Sequence, residues 1–423
     1  MSGSPDLLVL GARELLTCAP RGATPHSARP ARGAEQAELG RVEGAGLGIR
    51  GGLITHLADS AELKARFPAA PVLDASDALL LPGFVDCHTH LLFAGHRAAE
   101  WEQRMAGADY LEILKAGGGI RTTVDHTRAA SRAALKGHAR LWLRRMLELG
   151  TTHVEAKTGY RLDREGELEL LELQRELAGE GPLGISSTYL GAHVVPAEFR
   201  EDRRAYVELV LRTLGEAAAR QLCDFVDVFC EDEAFSIAET REILTRAQRL
   251  GVGVKLHTEQ FTQSGGTRLG VELGATSIDH LEVADPADIQ ALSCAPKPPI
   301  CVLLPGVAFH LRLTTHAPGR ALVDAGVPVA LATDFNPGSS PTPSMPLMIA
   351  LASRTQGLSV AEAIVAATRN AACALGLGSE MGTLEVGKRA NLQLLDVPDY
   401  RYLGYAFGYN PVRQVLVNGS PQL

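Results

Sequence analysis

From residue 79 to about residue 332 the chain repeats one pattern eight times. A short run rich in Val, Ile and Leu is followed by a longer segment with apolar residues at helical spacing. The short runs lie at 79–86, 151–157, 185–192, 224–229, 252–257, 277–280, 300–304 and 327–332, and helical periodicity fills the intervals, as over 129–149 and 164–177. Near-continuous apolar runs are what a parallel strand buried on both faces requires. Alternation of this kind over about 250–300 residues builds either a doubly wound sheet or a closed barrel. A count of eight favours an α/β fold of the (β/α)8 TIM type.

The ends of the chain follow another rhythm. Residues 6–10, 46–58 and 71–74 are short β-like runs bounded by turn residues, and 390–395 and 414–418 are two more, the last followed by Gly419. These pieces predict a small β-sandwich built from both termini, residues 1–80 plus 379–423, beside a barrel over 81–378. Residues 18–45 are rich in Ala, Arg, Gly and Pro and predict a solvated loop.

Composition narrows the function classes. With 46% hydrophobic and 21% charged residues the chain has a globular profile. A net charge of −8 without a long basic run argues against nucleic-acid partners. Apolar runs are broken by Pro or Gly well short of the ~20 residues of a membrane span, and Asp6 and Glu14 bracket the first apolar run, unlike a signal peptide. The seven cysteines are scattered without a CxxC, which predicts reduced, mostly buried thiols in a cytoplasmic protein.

The chemistry gathers where the predicted strands end. In a barrel those ends carry the catalytic groups. They read Asp86-Cys87-His88-Thr89-His90, then Tyr160, His193, Glu231, His257, His280, Pro305 and Asp334. Four of eight ends carry His in a chain with 13 His. His88 and His90, two apart on an extended strand, face one point while Cys87 faces away. That point can hold a metal with His257 and Asp334 brought in from strands five and eight. Three neutral imidazoles and a carboxylate suit zinc or iron, with a position left for water.

LPGFVDCHTHL, LHTEQ, DHLE and ATDFNPGSS, with FAGHR (93–97), GGGI (117–120), KTGYRL (157–162), LGAHVVP (190–196) and VLLPG (302–306), resemble the amidohydrolase superfamily, and within it the imidazolonepropionase family of histidine degradation. The resemblance runs from about residue 46 to the C-terminus. It implies one divalent or trivalent metal ion, zinc or iron, on His88, His90, His257 and Asp334. It further implies substrate-binding positions at Arg97, Tyr160, His193, Gln260, Asn336, Gly338 and Ser339, and a strand-six histidine at His280. The small-molecule substrate implied is 4-imidazolone-5-propanoate, opened at its cyclic amide to N-formimidoyl-L-glutamate. A homodimer is left open. No lysine is suited to bridging two metals, since Lys157 lies too early relative to the strand that ends at His193.

Two positions depart from the family pattern. Some members carry an acidic residue where this chain has Gln260, which cannot transfer a proton, and Arg161 stands where glycine is usual. His280 is therefore the expected general base and acid, with Asp334 sharing the proton and His193 donating to the developing oxyanion. Arg97 is expected to pair with the propionate. Two rival readings stand beside this one: another mononuclear amidohydrolase, such as a purine or pyrimidine deaminase, and a non-catalytic scaffold that has lost its ligands.

Overall fold

The computed structural model describes residues 4–20, 29–107 and 118–422. Eight parallel strands form one sheet in sequence order: β1 Phe84–Asp86, β2 Thr151–Lys157, β3 Gly184–Ala192, β4 Phe225–Cys230, β5 Gly253–Thr258, β6 Ser277–His280, β7 Ile300–Leu303 and β8 Val329–Leu331. The segments leaving β1 and β8 close the ring. Thr89 bridges Phe335, the His90 amide donates to the Phe335 carbonyl (2.9 Å), and the Asp334 amide donates to the His88 carbonyl (3.0 Å). The (β/α)8 expectation holds, and the closure itself sets the strand-one and strand-eight site residues side by side.

The helices between the strands start where polar residues cap them. Asp163 accepts from the Gly166 amide ahead of Arg164–Glu180, and Ser236 with Glu239 forms a capping box ahead of Ile237–Arg249. The helical pattern expected over 129–149 is one helix, and a separate helix precedes it. Ile120–Ala129 ends, Ser131 caps, and Arg132–Glu148 begins. Leu135, Ala139, Leu143 and Met146 then form a buried stripe facing the sheet.

Both termini build two further sheets. One orders Leu53–Asp59, Ala45–Arg50, Leu7–Leu10 and Val72–Asp74; the other orders Ser420–Pro421, Val412–Val417, Leu392–Leu395, Leu79–Pro82, Glu14–Leu16 and Arg41–Val42. Val9, Leu47, Ile54, Leu80, Leu392 and Leu416 fill the space between them, which makes a sandwich. The single strand expected over 79–86 is therefore two strands of different sheets. Leu79–Pro82 pairs with Leu392–Leu395, and Phe84–Asp86 belongs to the barrel.

Gly83 makes that switch possible. A Cβ there would lie 2.2 Å from Thr152 Cγ2 and 2.6 Å from its Oγ1, while the Gly83 amide donates to Asn391. We expect Gly83→Val to destabilise the protein by about 1–3 kcal/mol through overpacking, read as a lower urea midpoint at unchanged slope. A midpoint equal to wild type would show that the chain has room to relax there.

The solvated loop expected over 18–45 is corrected for residues 29–42; residues 21–28 lie outside the described residues. Ala31 and Gln36 are buried against the lower end of β8. Gln36 Oε1 accepts from the Val329 amide, and Asn370 ties Ala31 to the Val329 carbonyl. Small and polar residues there serve close backbone packing at the barrel floor, which composition alone reads as solvent exposure. Among the described residues, no helix is long and apolar enough to cross a membrane. All seven cysteines are free and six are buried.

Candidate active site

His88 and His90 leave β1 on the same side, His257 ends β5, and Asp334 follows β8. One ring nitrogen from each of the three histidines lies within 4.8 Å of the others. Asp334 Oδ1 stands 3.4 Å from His88 Nε2 and 3.3 Å from His90 Nε2. All four side chains are buried. His88 Nε2, His257 Nε2 and Asp334 Oδ1 have no hydrogen-bond partner, though leaving such atoms unpaired in a protein interior is costly. Orphaned lone pairs converging on one point are what a cation would satisfy, so the residues present fit a metal.

The opposite ring nitrogens explain why those lone pairs face inward. His88 Nδ1 lies 2.7 Å from Asp279 Oδ2, and His257 Nδ1 lies 3.0 Å from Asp227 Oδ1. At His88 the carboxylate accepts from Nδ1 and leaves Nε2 as the donor atom toward a metal, whereas Asp227 stands beside His257 Nδ1 without hydrogen-bond geometry. For His257, burial drives the pKa well below the ordinary value, which keeps the ring neutral as a ligand must be.

Above this point a single cavity is lined by His90, Arg97, Tyr160, His193, His257, Gln260, His280, Asp334, Asn336, Gly338 and Ser339. Every site residue expected from the sequence thus lines it, apart from His88, which lies beneath. Backbone strain marks the rim. Glu259 (φ +48°), His280 (φ +87°), Leu281 (φ +70°) and Asp334 (φ +50°) are non-glycine residues in the left-handed region, a cost of about 1–3 kcal/mol each that clusters at functional sites. The strain is held by pairing across strands, as where the Val283 amide donates to the Glu259 carbonyl (2.9 Å).

Residues 79–421 match the amidohydrolase family. An imidazolonepropionase of Chloroflexus aggregans is 43% identical over 425 residues, covering 98% of each chain. One of Herpetosiphon aurantiacus is 45% identical over 398 residues, covering 92% of each. Among solved structures, an adenosine deaminase from Xanthomonas campestris with bound zinc shares the fold (TM-score 0.72, 21% identity, 100% of this chain and 94% of that one). Guanine deaminase of E. coli does so too (TM-score 0.68, 16% identity, 98% and 99%). At those identities the deaminases speak for fold alone. The chain belongs to the imidazolonepropionase family.

For a member of this family, the surroundings of Gln260 are informative. Two carboxylates at the turn that holds it are already committed. Glu259 accepts from the amides of Gly265, Gly266 and Thr267 at the start of helix Gly266–Glu272, pointing away from the cavity. Glu231 accepts from the amides of Gln260, Phe261 and Thr262 and so shapes the turn after β5. Neither is placed to shuttle a proton. His280 instead pairs through Nδ1 with Glu282 at 3.3 Å. Burial works against its protonation, but Glu282 and Asp334 outweigh that and raise its pKa above the ordinary value.

One expected role changes. His193 Nδ1 lies 3.1 Å from the Gly159 carbonyl and must donate to it, so the neutral ring offers Nε2 as an acceptor. Burial, with His90 beside it, lowers its pKa to about 3, which removes the imidazolium that donation to an oxyanion would need. Asn336 is likewise occupied: its Oδ1 accepts from the Gly338 and Ser339 amides and its Nδ2 donates to the Asp334 carbonyl and Ser339 Oγ. It shapes the loop rather than offering a free amide. A Cβ at Gly338 would lie 2.0 Å from Arg97 Nη1, so a side chain there would displace the guanidinium.

Several contributors escaped the sequence reading. Asp227, Asp279 and Glu282 hold the histidines, and Glu155, Lys157 and Lys255 lie beneath them, all buried. Their signal was present: charged residues at alternate positions of apolar strands, Glu155 and Lys157 on β2, Lys255 before His257 on β5. Alternation puts such residues on one face, and a charge inside a barrel needs a partner. Gly117 of the GGGI motif lies outside the described residues.

Proposed function

We propose that this chain hydrolyses the cyclic amide of 4-imidazolone-5-propanoate, producing N-formimidoyl-L-glutamate. The observation that carries the reading is a cavity with two chemically different ends. One end holds the orphaned nitrogens of His88 and His257 with Asp334; the other holds the Arg97 guanidinium beside Gly338. A substrate with a hydrolysable amide at one end and a carboxylate at the other fits that polarity. His88, His90, His257 and Asp334 would hold one divalent ion, which supplies hydroxide at neutral pH by lowering the pKa of its water to about 7. Imidazole with a single carboxylate accepts zinc or iron.

The side chains divide the remaining work. Arg97 uses Nε on Glu100 (2.9 Å), which leaves its terminal nitrogens for the propionate. Tyr160 stays a phenol, because burial with Asp334 nearby raises its pKa, so it serves as a hydrogen-bond donor. His193 Nε2 accepts from a ring N–H. His280, backed by Glu282, takes the proton released on attack and returns it to the leaving nitrogen. Seven free thiols support a reducing compartment, the cytoplasm.

The deciding experiment is ring opening of freshly prepared imidazolone propionate, followed by loss of ultraviolet absorbance with and without chelator. Metal-dependent decay to formimidoylglutamate is expected; decay no faster than spontaneous, with metal bound, would overturn the substrate assignment.

Arg97→Lys tests the carboxylate end. A paired guanidinium hydrogen bond to a charged group contributes about 1.5–3 kcal/mol, so KM is expected to rise roughly 10- to 100-fold with kcat little changed. A KM within twofold of wild type would remove Arg97 from substrate binding.

A further inference from the structure

Two lysines are fully buried beneath the candidate metal ligands. Lys157 Nζ lies 2.6 Å from Asp227 Oδ2, 3.0 Å from Glu155 Oε2 and 3.6 Å from Asp279 Oδ2. Lys255 Nζ lies 2.8 Å from Glu155 Oε2 and donates to the Cys87 carbonyl at 3.0 Å. Asp227 and Asp279 are the carboxylates behind His257 and His88. One ammonium therefore touches both groups that orient two ligands from opposite sides of the barrel.

The same place has the makings of a cation site. Donor atoms of His88, Glu155 and Asp279 lie within 4.8 Å of one another. Here both carboxylates face lysine ammoniums, and the His88 Nδ1 that would complete the trio is committed to Asp279. Charge points the same way. Two ammoniums against Glu155, Asp227 and Asp279 leave one negative charge, and Asp334 adds another. The two match a divalent ion. Asp86, nearby, accepts twice from Thr333 and stands outside this cluster. Stability gives little reason to keep such a network, because a buried ion pair is often no better than apolar packing of the same volume.

We propose that Lys157 and Lys255 are the built-in counter-cations of the site: they brace the carboxylates behind His88 and His257, and they stand where a second metal ion would otherwise bind, which restricts the centre to one divalent ion. This rests on the metal reading above and not on the identity of the substrate.

The test counts metal in the full-length protein. Wild type, Lys157→Met and Lys157→Met/Glu155→Gln are loaded with excess Zn²⁺ or Co²⁺, desalted and measured by plasma mass spectrometry, with circular dichroism melts to establish folding. Wild type is expected to keep about one ion per chain, and Lys157→Met, which leaves an extra negative charge, about two. The double variant restores the wild-type charge and should return to one. With Co²⁺, the single variant should add ligand-field absorption absent from wild type.

A folded Lys157→Met with one ion and an unchanged Co²⁺ spectrum would overturn the proposal. If that variant does not fold, Lys255→Met leaves the same excess charge and is read in the same way. If neither folds, titration of wild type decides, since a second tightly held ion there would show that the lysines exclude nothing. Metal content is independent of ring opening, so a chain that binds one ion yet leaves imidazolone propionate intact would sink the substrate reading and not this one.

Discussion

His257→Ala is expected to give a folded protein that no longer retains metal and whose ring-opening rate falls by more than ~100-fold. Losing a partner behind a metal ligand typically costs 10- to 100-fold in affinity or activity, and removing a ligand should exceed that range. His257 Nε2 is one of the orphaned buried atoms, so its loss deletes a donor that nothing nearby replaces. The fold should survive, because Asp227 would still be met by Lys157 (2.6 Å) and by the residue-257 amide (3.2 Å), and no stranded charge results. Metal content and turnover, measured together, check this. Retained metal with activity within tenfold of wild type would remove His257 from the ligand set.

His280→Asn separates proton transfer from metal binding. The amide can still donate toward Glu282, yet it cannot carry a proton. General acid–base groups contribute about 10²- to 10⁴-fold, so kcat should fall by that factor while metal content stays at the wild-type level and KM changes little. The acid limb of the wild-type pH profile, where His280 would be protonated and unable to accept, should flatten in the variant. The His280 ring lies 5.3 Å from that of His257 and 5.7 Å from that of His88, close enough that ligation is the competing role. Loss of metal from the variant would identify His280 as a ligand instead. An unchanged pH profile with less than a tenfold loss would deny it either role.

The legibility of the site follows from how local each signal is. His88 and His90 were readable because a strand's two-residue period puts them on one side whatever surrounds them. His257, His280 and Asp334 were readable because they stand where apolar runs stop, the end of a barrel strand that carries function. Glu259 points away from the cavity because it caps the helix after Gly265, a contact that strand alternation does not contain. The role of His193 was misread for a nonlocal reason. Its tautomer is set by the Gly159 carbonyl 34 residues earlier, and no spacing in the chain announces that contact.

The same division applies to the fold. The chain by itself determined the number and order of the barrel strands, the helices between them, the separate character of the termini, and four residues that could bind a metal. These depend on periodicity and residue type within single elements. Only the tertiary structure decided that residues 79–86 split at Gly83 between two sheets, that Ala31 and Gln36 pack under β8, and that Lys157 reaches the carboxylates behind two ligands. Those outcomes depend on register and ring closure, which bring together groups as far apart as Lys157 and Asp279. The hydrophobic pattern states which face of an element is buried, but the partner waiting on that face is chosen by the other seven strands.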